Sequence, residues 1–178
     1  MAGGLNLYGY AGGDPVNFSD PFGLDCVDRD GNRRPCNVTW SEPDKPNPDV
    51  TPETMAEIRA LADEAELDLV LSSGRRPGTC TSKSSLHRCG RAVDVSGVMI
   101  DGALVDFGQG LGPEAVNPNA LPYLGRLQGL AFGRPNISQN LGPMGLWSSN
   151  ARGTPQSAWY NATRQNEHYN HVHIGVHP

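Results

Sequence analysis

Ser85-Leu86-His87-Arg88-Cys89-Gly90-Arg91-Ala92-Val93-Asp94 reads S-x-H-x-x-G-x-A-x-D. A neutral imidazole and an ionised carboxylate each offer a lone pair to a divalent cation, so His87 and Asp94 make half of a metal site. Gly90 and Ala92 are small enough to allow the tight return that brings both side chains to one ion. The other half must come from elsewhere, and four of the five histidines, His168, His171, His173 and His177, lie in the last eleven residues. The alternation in His171-Val172-His173-Ile174-Gly175-Val176 is that of a strand, with both imidazoles on one face. One can bind metal while its neighbour handles protons. His177, close to the end, reads as tail.

Outward from this stretch, Ser73-Gly74-Arg75-Arg76-Pro77-Gly78 marks a turn, preceded by a short apolar run over 67–72 of strand length. Before that, Thr51 reads as an N-cap, with Pro52 at the first helical position and Glu53 in the first turn. Met55, Ile58, Leu61, Ala62 and Ala65 recur at steps of three and four, predicting a core-packing helix over 52–66. After the motif, 93–95 and 98–105 read as strands, with Asp101-Gly102 a hairpin turn. A helix is predicted over 121–130 from Leu121, Leu124, Leu127 and Leu130. The rest of 106–155 is interrupted by Gly and Pro and reads as an insertion that walls a cleft. Residues 25–50, with an Asp30-Gly31-Asn32 turn and the proline-dense SEPDKPNPDV, read as an entry arm outside the core.

The 178 residues suit one catalytic domain with a short appendage. With 22 Gly and 15 Pro, about a fifth of the chain, loops should outweigh regular elements. The net charge is −5, and twelve of the fourteen basic residues are Arg, without any run that would track a phosphate backbone. Nucleic acid is therefore a disfavoured partner. No apolar stretch approaches a bilayer span, and the N-terminus lacks the basic start and apolar middle of a signal peptide. The four cysteines form two close pairs, Cys26/Cys36 and Cys80/Cys89, without C-x-x-C spacing. Two local disulfides, and so an oxidising compartment, are the simplest reading. Idle thiols, or Cys80 or Cys89 as a metal ligand beside His87, are the alternatives.

The motif resembles that of the zinc D-alanyl-D-alanine carboxypeptidases and murein endopeptidases, which share the hedgehog/DD-peptidase fold. Their signature is S-x-H-x-x-G-x-A-x-D followed much later by H-x-H or E-x-x-H. Ser85, His87, Gly90, Ala92 and Asp94 match the first part, and His168-x-x-His171-x-His173 matches the fuller ending of the endopeptidase branch. The resemblance implies an α+β domain over 51–178, a small antiparallel sheet with flanking helices. It implies Zn2+ on His87, Asp94 and His173, with His171 as base or transition-state donor and His168 as an auxiliary proton handler. Arg75 matches the arginine of an S-G-x-R segment that grips the scissile carbonyl or a substrate carboxylate. Arg76 could fill that place, and Arg76 and Ser85 are the substrate-binding candidates. The glutamate that the carboxypeptidase branch carries three positions before its last histidine ligand is here Asn170. Glu167 is thus kept only as an outer candidate, and the general base stays open among His171, His168 and Glu167.

Residues 3–24, GGLNLYGYAGGDPVNFSDPFGL, resemble the end of an Rhs/YD-repeat core, LNLYxYxxNxPxxxxDPxGL, with Pro15, Asp20, Pro21, Gly23 and Leu24 on its P-x-x-x-x-D-P-x-G-L part. In that family the shell ends there and a variable toxin begins, which implies a boundary after Leu24. Taken together, the two resemblances imply a secreted antibacterial effector of the type VI kind. Its zinc peptidase would cut peptidoglycan stem peptides or crosslinks in the periplasm of a target bacterium. The expected partners are peptidoglycan, a cognate immunity protein and an Rhs shell, with no membrane or nucleic acid. The competing readings are a metal-dependent nuclease toxin and a non-catalytic, zinc-stabilised wall-binding module.

Overall fold

A computed structural model describes residues 26–28, 30–42, 49–81, 86–148 and 167–177. Two short strands, β1 (Cys26–Val27) and β2 (Arg33–Arg34), pair antiparallel on their own. The other strands join one seven-stranded sheet: β3 (Val38–Trp40), β4 (Asp68–Ser73), β5 (Ala92–Ile100), β6 (Ala103–Asp106), β7 (Ile137–Gly142), β8 (Gly145–Ser148) and β9 (Val172–Val176). Their order is β3-β4-β5-β9-β7-β8, with β6 also on β5. Helices α1 (Pro52–Ala65) and α2 (Leu121–Gly133) complete an α+β architecture. Among the described residues, no helix is long and apolar enough to cross a membrane.

Helix α1 forms where its caps predict. Thr51 is extended, its Oγ1 accepts from the Thr54 N–H at 3.3 Å, and Pro52 follows. The helix ends at Glu66, left-handed at φ 49°, and the next N–H, that of Leu67, returns to the Ala62 carbonyl. Ile58, Leu61, Ala62 and Ala65 are fully buried, each large side chain contributing about 1.5–3 kcal/mol through the apolar surface it removes from water. They pack with Leu124, Leu127 and Ala131 of α2 in the core cluster that also takes one face of the sheet. That face is set by strict alternation: Val93 and Val95 of β5 and Val172 and Ile174 of β9 belong to the core, while Asp94 and His173 turn to the opposite side. Asp101-Gly102 makes the β5–β6 hairpin, with φ of 52° and 79°, both positive as a type I′ turn requires.

Three expectations need correction. The sheet is larger than a small antiparallel one and is mixed, because β3 runs parallel to β4 with Val38 opposite Leu69. Nor does the described part of 25–50 stand clear of the core. Cys26 and Cys36 are buried in it, Arg34 pairs with Asp68 through both nitrogens, and the Cys36 N–H donates to Asp63 at 2.7 Å. A three-residue strand held by backbone and ionic contacts has no period in the sequence. Finally, 106–148 is not an insertion outside the core: Phe107, just after β6, Leu124 and Leu127 of α2 and Ile137 of β7 all belong to it. The β7 signal is weak because a bulge interrupts its alternation. The Rhs-like residues 3–24 lie outside the described residues.

Candidate metal centre

Two elements adjacent in sequence and a third far down the chain bring the candidate ligands together. Asp94 of β5 and His173 of β9 are direct cross-strand partners on the face away from the helices. His87 rides on a single 3-10 turn, Leu86–Cys89, packed beside both strands. Gly90 ends that turn at φ 67°, and its carbonyl accepts the Thr51 N–H at 2.8 Å. A Cβ at Gly90 would run into the Asp49 carbonyl oxygen, so the motif glycine seats the turn against the start of α1. Cys80 and Cys89 form a disulfide, as do Cys26 and Cys36. Neither Cys80 nor Cys89 therefore offers a thiolate to a metal. The same holds for Cys26 and Cys36, which lie close to Asp68.

His87, Asp94 and His173 are 2%, 4% and 7% exposed. His87 Nε2 lies 3.1 Å from Asp94 Oδ1 and 3.0 Å from His173 Nδ1, and His173 Nδ1 lies 3.0 Å from the same carboxylate oxygen. What surrounds the triangle fixes its protons. His87 Nδ1 faces the Gly74 carbonyl at 2.6 Å, and a carbonyl only accepts, so Nδ1 carries the hydrogen and Nε2 is bare. His173 Nε2 donates to Gln139 Oε1 at 2.9 Å, which leaves Nδ1 bare. Arg76 Nη2 donates to Asp94 Oδ2 at 2.8 Å, leaving Oδ1 to face the imidazoles.

Three bare acceptors this close hold together only around positive charge, whether a shared proton or a metal ion. Burial pushes His173 down from its ordinary value despite the neighbouring carboxylate, which disfavours the proton at neutral pH. Burial works to raise the Asp94 carboxyl, and only a hydrogen bond and positive charge from a protonated His173 or His87 outweigh it and hold the group well below the usual carboxylate range, so the carboxylate too calls for positive charge within the triangle. A tetrahedral ion with bonds of about 2.0–2.1 Å has ligand–ligand edges of about 3.3 Å, a few tenths of an ångström from the spacing seen. The residues fit a divalent metal ion without rearrangement. The outer hydrogen bonds from both imidazoles are of the kind that orient metal-bound histidine.

His171 stands at the rim of this triangle. Its Nδ1–H donates to Asn170 Oδ1 at 2.7 Å, and its Nε2 lies 3.8 Å from Asp94 Oδ1. Burial pushes His171 down to about 4, with the charges of His168, His173 and Arg76 acting the same way and Asp94 opposing. The ring is thus neutral at pH 7, with an open acceptor nitrogen. His168 extends the cluster, its ring centroid 5.0 Å from His171 and 6.0 Å from His173. Of the two arginines, Arg76 reaches Asp94 while Arg75 pairs with Asp49 at 3.2 Å. Glu167 is exposed and is not among the converging ligands. Ser85 lies outside the described residues.

Sequence reasoning missed Gln139, the Gly74 carbonyl and Asn170 in its role of orienting His171. A backbone carbonyl has no residue signature, and Gln139 is 34 positions from the histidine it contacts. No family model, curated protein or solved structure matches the chain.

Proposed function

We propose that this chain is a zinc peptidase hydrolysing peptidoglycan stem peptides or crosslinks, of the D-Ala-D-Ala carboxypeptidase and murein endopeptidase kind with their hedgehog/DD-peptidase fold. We place it at the toxin end of an Rhs-type antibacterial effector. The observation that carries this reading is the convergence of His87, Asp94 and His173 with His171 Nε2 alongside. Two buried imidazoles and one carboxylate are the donor set of a catalytic rather than a closed structural zinc site, since three protein ligands leave a coordination position for the reaction.

Zinc held by these three residues supplies Lewis acidity, polarising a carbonyl and lowering the proton affinity of water. The chain's own groups do the remaining work. Water adds to the peptide carbon as the C–N bond breaks, and the water's proton must end on the departing amine. His171 is placed to carry that proton on Nε2, because Asn170 fixes its Nδ1–H. A positioned base of this sort is worth roughly 10²–10⁴-fold. His168, its ring tilted against that of His171, assists the transfer. Arg76 uses one nitrogen on Asp94, and its side chain is 55% exposed, so its other N–H donors are available to a substrate carbonyl or carboxylate. The two disulfides suit work in an oxidising, extracytoplasmic environment.

The test is mass spectrometry of purified sacculi digested by the wild-type protein, by His173→Ala and by wild type with chelator. Release of peptide fragments by the untreated wild type alone is the expected result. Cleavage of plasmid DNA with sacculi left intact would replace this reading with the nuclease one. Binding of sacculi without any fragment released would replace it with the wall-binding module.

A further inference from the structure

We infer that Gln139 is the positioning residue for His173, and that a bulge in β7 exists in the fold to deliver it to the metal centre. The register of β7 against β9 carries the argument. Ile137 pairs with Val176, yet Gln139 pairs with Gly175, so one extra residue, Ser138, is accommodated between them. In a regular ladder Gln139 would face Ile174 and share its side of the sheet, the apolar face covered by the helices. The inserted residue shifts the phase by one position and turns Gln139 to the face that carries His173. Beyond the bulge the new phase holds: Asn140 pairs with Ile174 and reaches back to Gln128 of α2, while Leu141 pairs with His173.

Two further features fit the same purpose. The residue directly opposite Gln139 is Gly175, where a Cβ would lie 2.5 Å from Leu86 Cδ1, 3.1 Å from Gln139 Cβ and 3.2 Å from Oε1. The missing side chain leaves space that Leu86, of the turn presenting His87, shares with the Gln139 amide. Ser138, the displaced residue, is buried and its Oγ has no hydrogen-bond partner among the described residues. A fold that leaves a hydroxyl unsatisfied in order to re-aim its neighbour is shaped around that neighbour. The 2.9 Å bond from His173 Nε2–H to Gln139 Oε1 fixes the tautomer that bares Nδ1 and holds the ring plane toward Asp94 and His87.

This inference rests on the metal reading of the triad and not on peptidase activity, so its test reads metal binding. Zinc affinity is measured by competition with a chromophoric chelator for wild type, Gln139→Met, Gln139→Asn and Gln139→Glu. The visible spectrum of the cobalt-substituted protein and the thermal midpoint of each metal-free protein are recorded alongside. Methionine keeps the length but cannot accept, and asparagine accepts but falls short. Both should lose roughly 10–100-fold in zinc affinity and show an altered cobalt spectrum. Glutamate restores an acceptor at full reach and should bind at least as tightly as wild type. If Gln139→Met does not fold, the asparagine and glutamate variants, which differ only in reach and charge, decide the matter. Zinc affinity of Gln139→Met or Gln139→Asn within threefold of wild type would overturn the inference, as would a glutamate variant as weak as asparagine. A wild-type protein that binds no zinc would instead remove the metal reading on which it stands.

Discussion

Removing one metal ligand should erase a thermal shift that the intact site produces. The donor atoms of His87, Asp94 and His173 already lie 3.0–3.1 Å apart, so an ion entering the site orders nothing new, and its affinity appears in full as folded-state stability. At free zinc about one hundredfold above the dissociation constant that stabilisation is about 2.7 kcal/mol. For a chain of 178 residues each kcal/mol moves the midpoint by roughly 2–4 °C, giving a rise of roughly 5–11 °C. Competition from the unfolded chain is small, because all four cysteines are held in disulfides and offer it no thiolates. In His173→Ala two donors remain, and an affinity loss of about a thousandfold would put the same free zinc below the dissociation constant, leaving less than about 0.1 kcal/mol. The assay is differential scanning calorimetry of oxidised protein in zinc buffered by a chelator, with wild type and His173→Ala run at one free concentration. A variant that keeps most of the wild-type shift would show that His173 is not a ligand. A wild type that does not shift up to millimolar zinc would show that the triangle is held by a proton.

Three other expectations follow from the same geometry. His171 is pushed down to about 4 from an ordinary 6.5, so between those values the unfolded chain takes up a proton that the folded one refuses. Stability of the metal-free protein should fall with pH through that window by at most about 3 kcal/mol. Urea midpoints at pH 7 and 4.5 should drop less in His171→Gln, and equal drops would count against the buried, neutral ring. Arg76→Ala should lower sacculus digestion by roughly 10²-fold. Arg75→Ala should stay within about threefold, because its exposed pair with Asp49 is worth less than about 1 kcal/mol; the reverse order would return the substrate-gripping role to Arg75. Replacing Cys80 and Cys89 together by serine opens a loop with a sequence separation of 9 and should cost about 2–3 kcal/mol in urea denaturation. It should also weaken zinc binding through the turn that presents His87, and unchanged zinc affinity would show that the turn is held without the disulfide.

The elements that were legible were those whose signals are local. Thr51-Pro52-Glu53 states a helix start through one hydroxyl acceptor, one fixed φ and one charge, and α1 begins there. Asp101-Gly102 states a hairpin because both residues tolerate positive φ, and both adopt it. The strands β1, β2 and β3, of two or three residues, and the bulged β7 were not legible. Their existence depends on partners such as Asp63, Asp68 and Gly175, which no window of neighbouring residues contains.

For the centre itself, donor type and strand alternation in the sequence pointed to His87, Asp94 and the pair His171 and His173, and the resemblance named His173 as the ligand of that pair. It also placed His171 beside them. Only the tertiary structure told the partners of Arg75 and Arg76 apart, since adjacent residues of a turn point in directions set by what each one meets: Asp49 in one case and Asp94 in the other. Only the tertiary structure brought in the Gly74 carbonyl and Gln139, which settle where each imidazole keeps its proton. A ligand's identity is written in its side chain. Its tautomer is written in contacts across the sheet, and it took a one-residue bulge in β7 to make one of them.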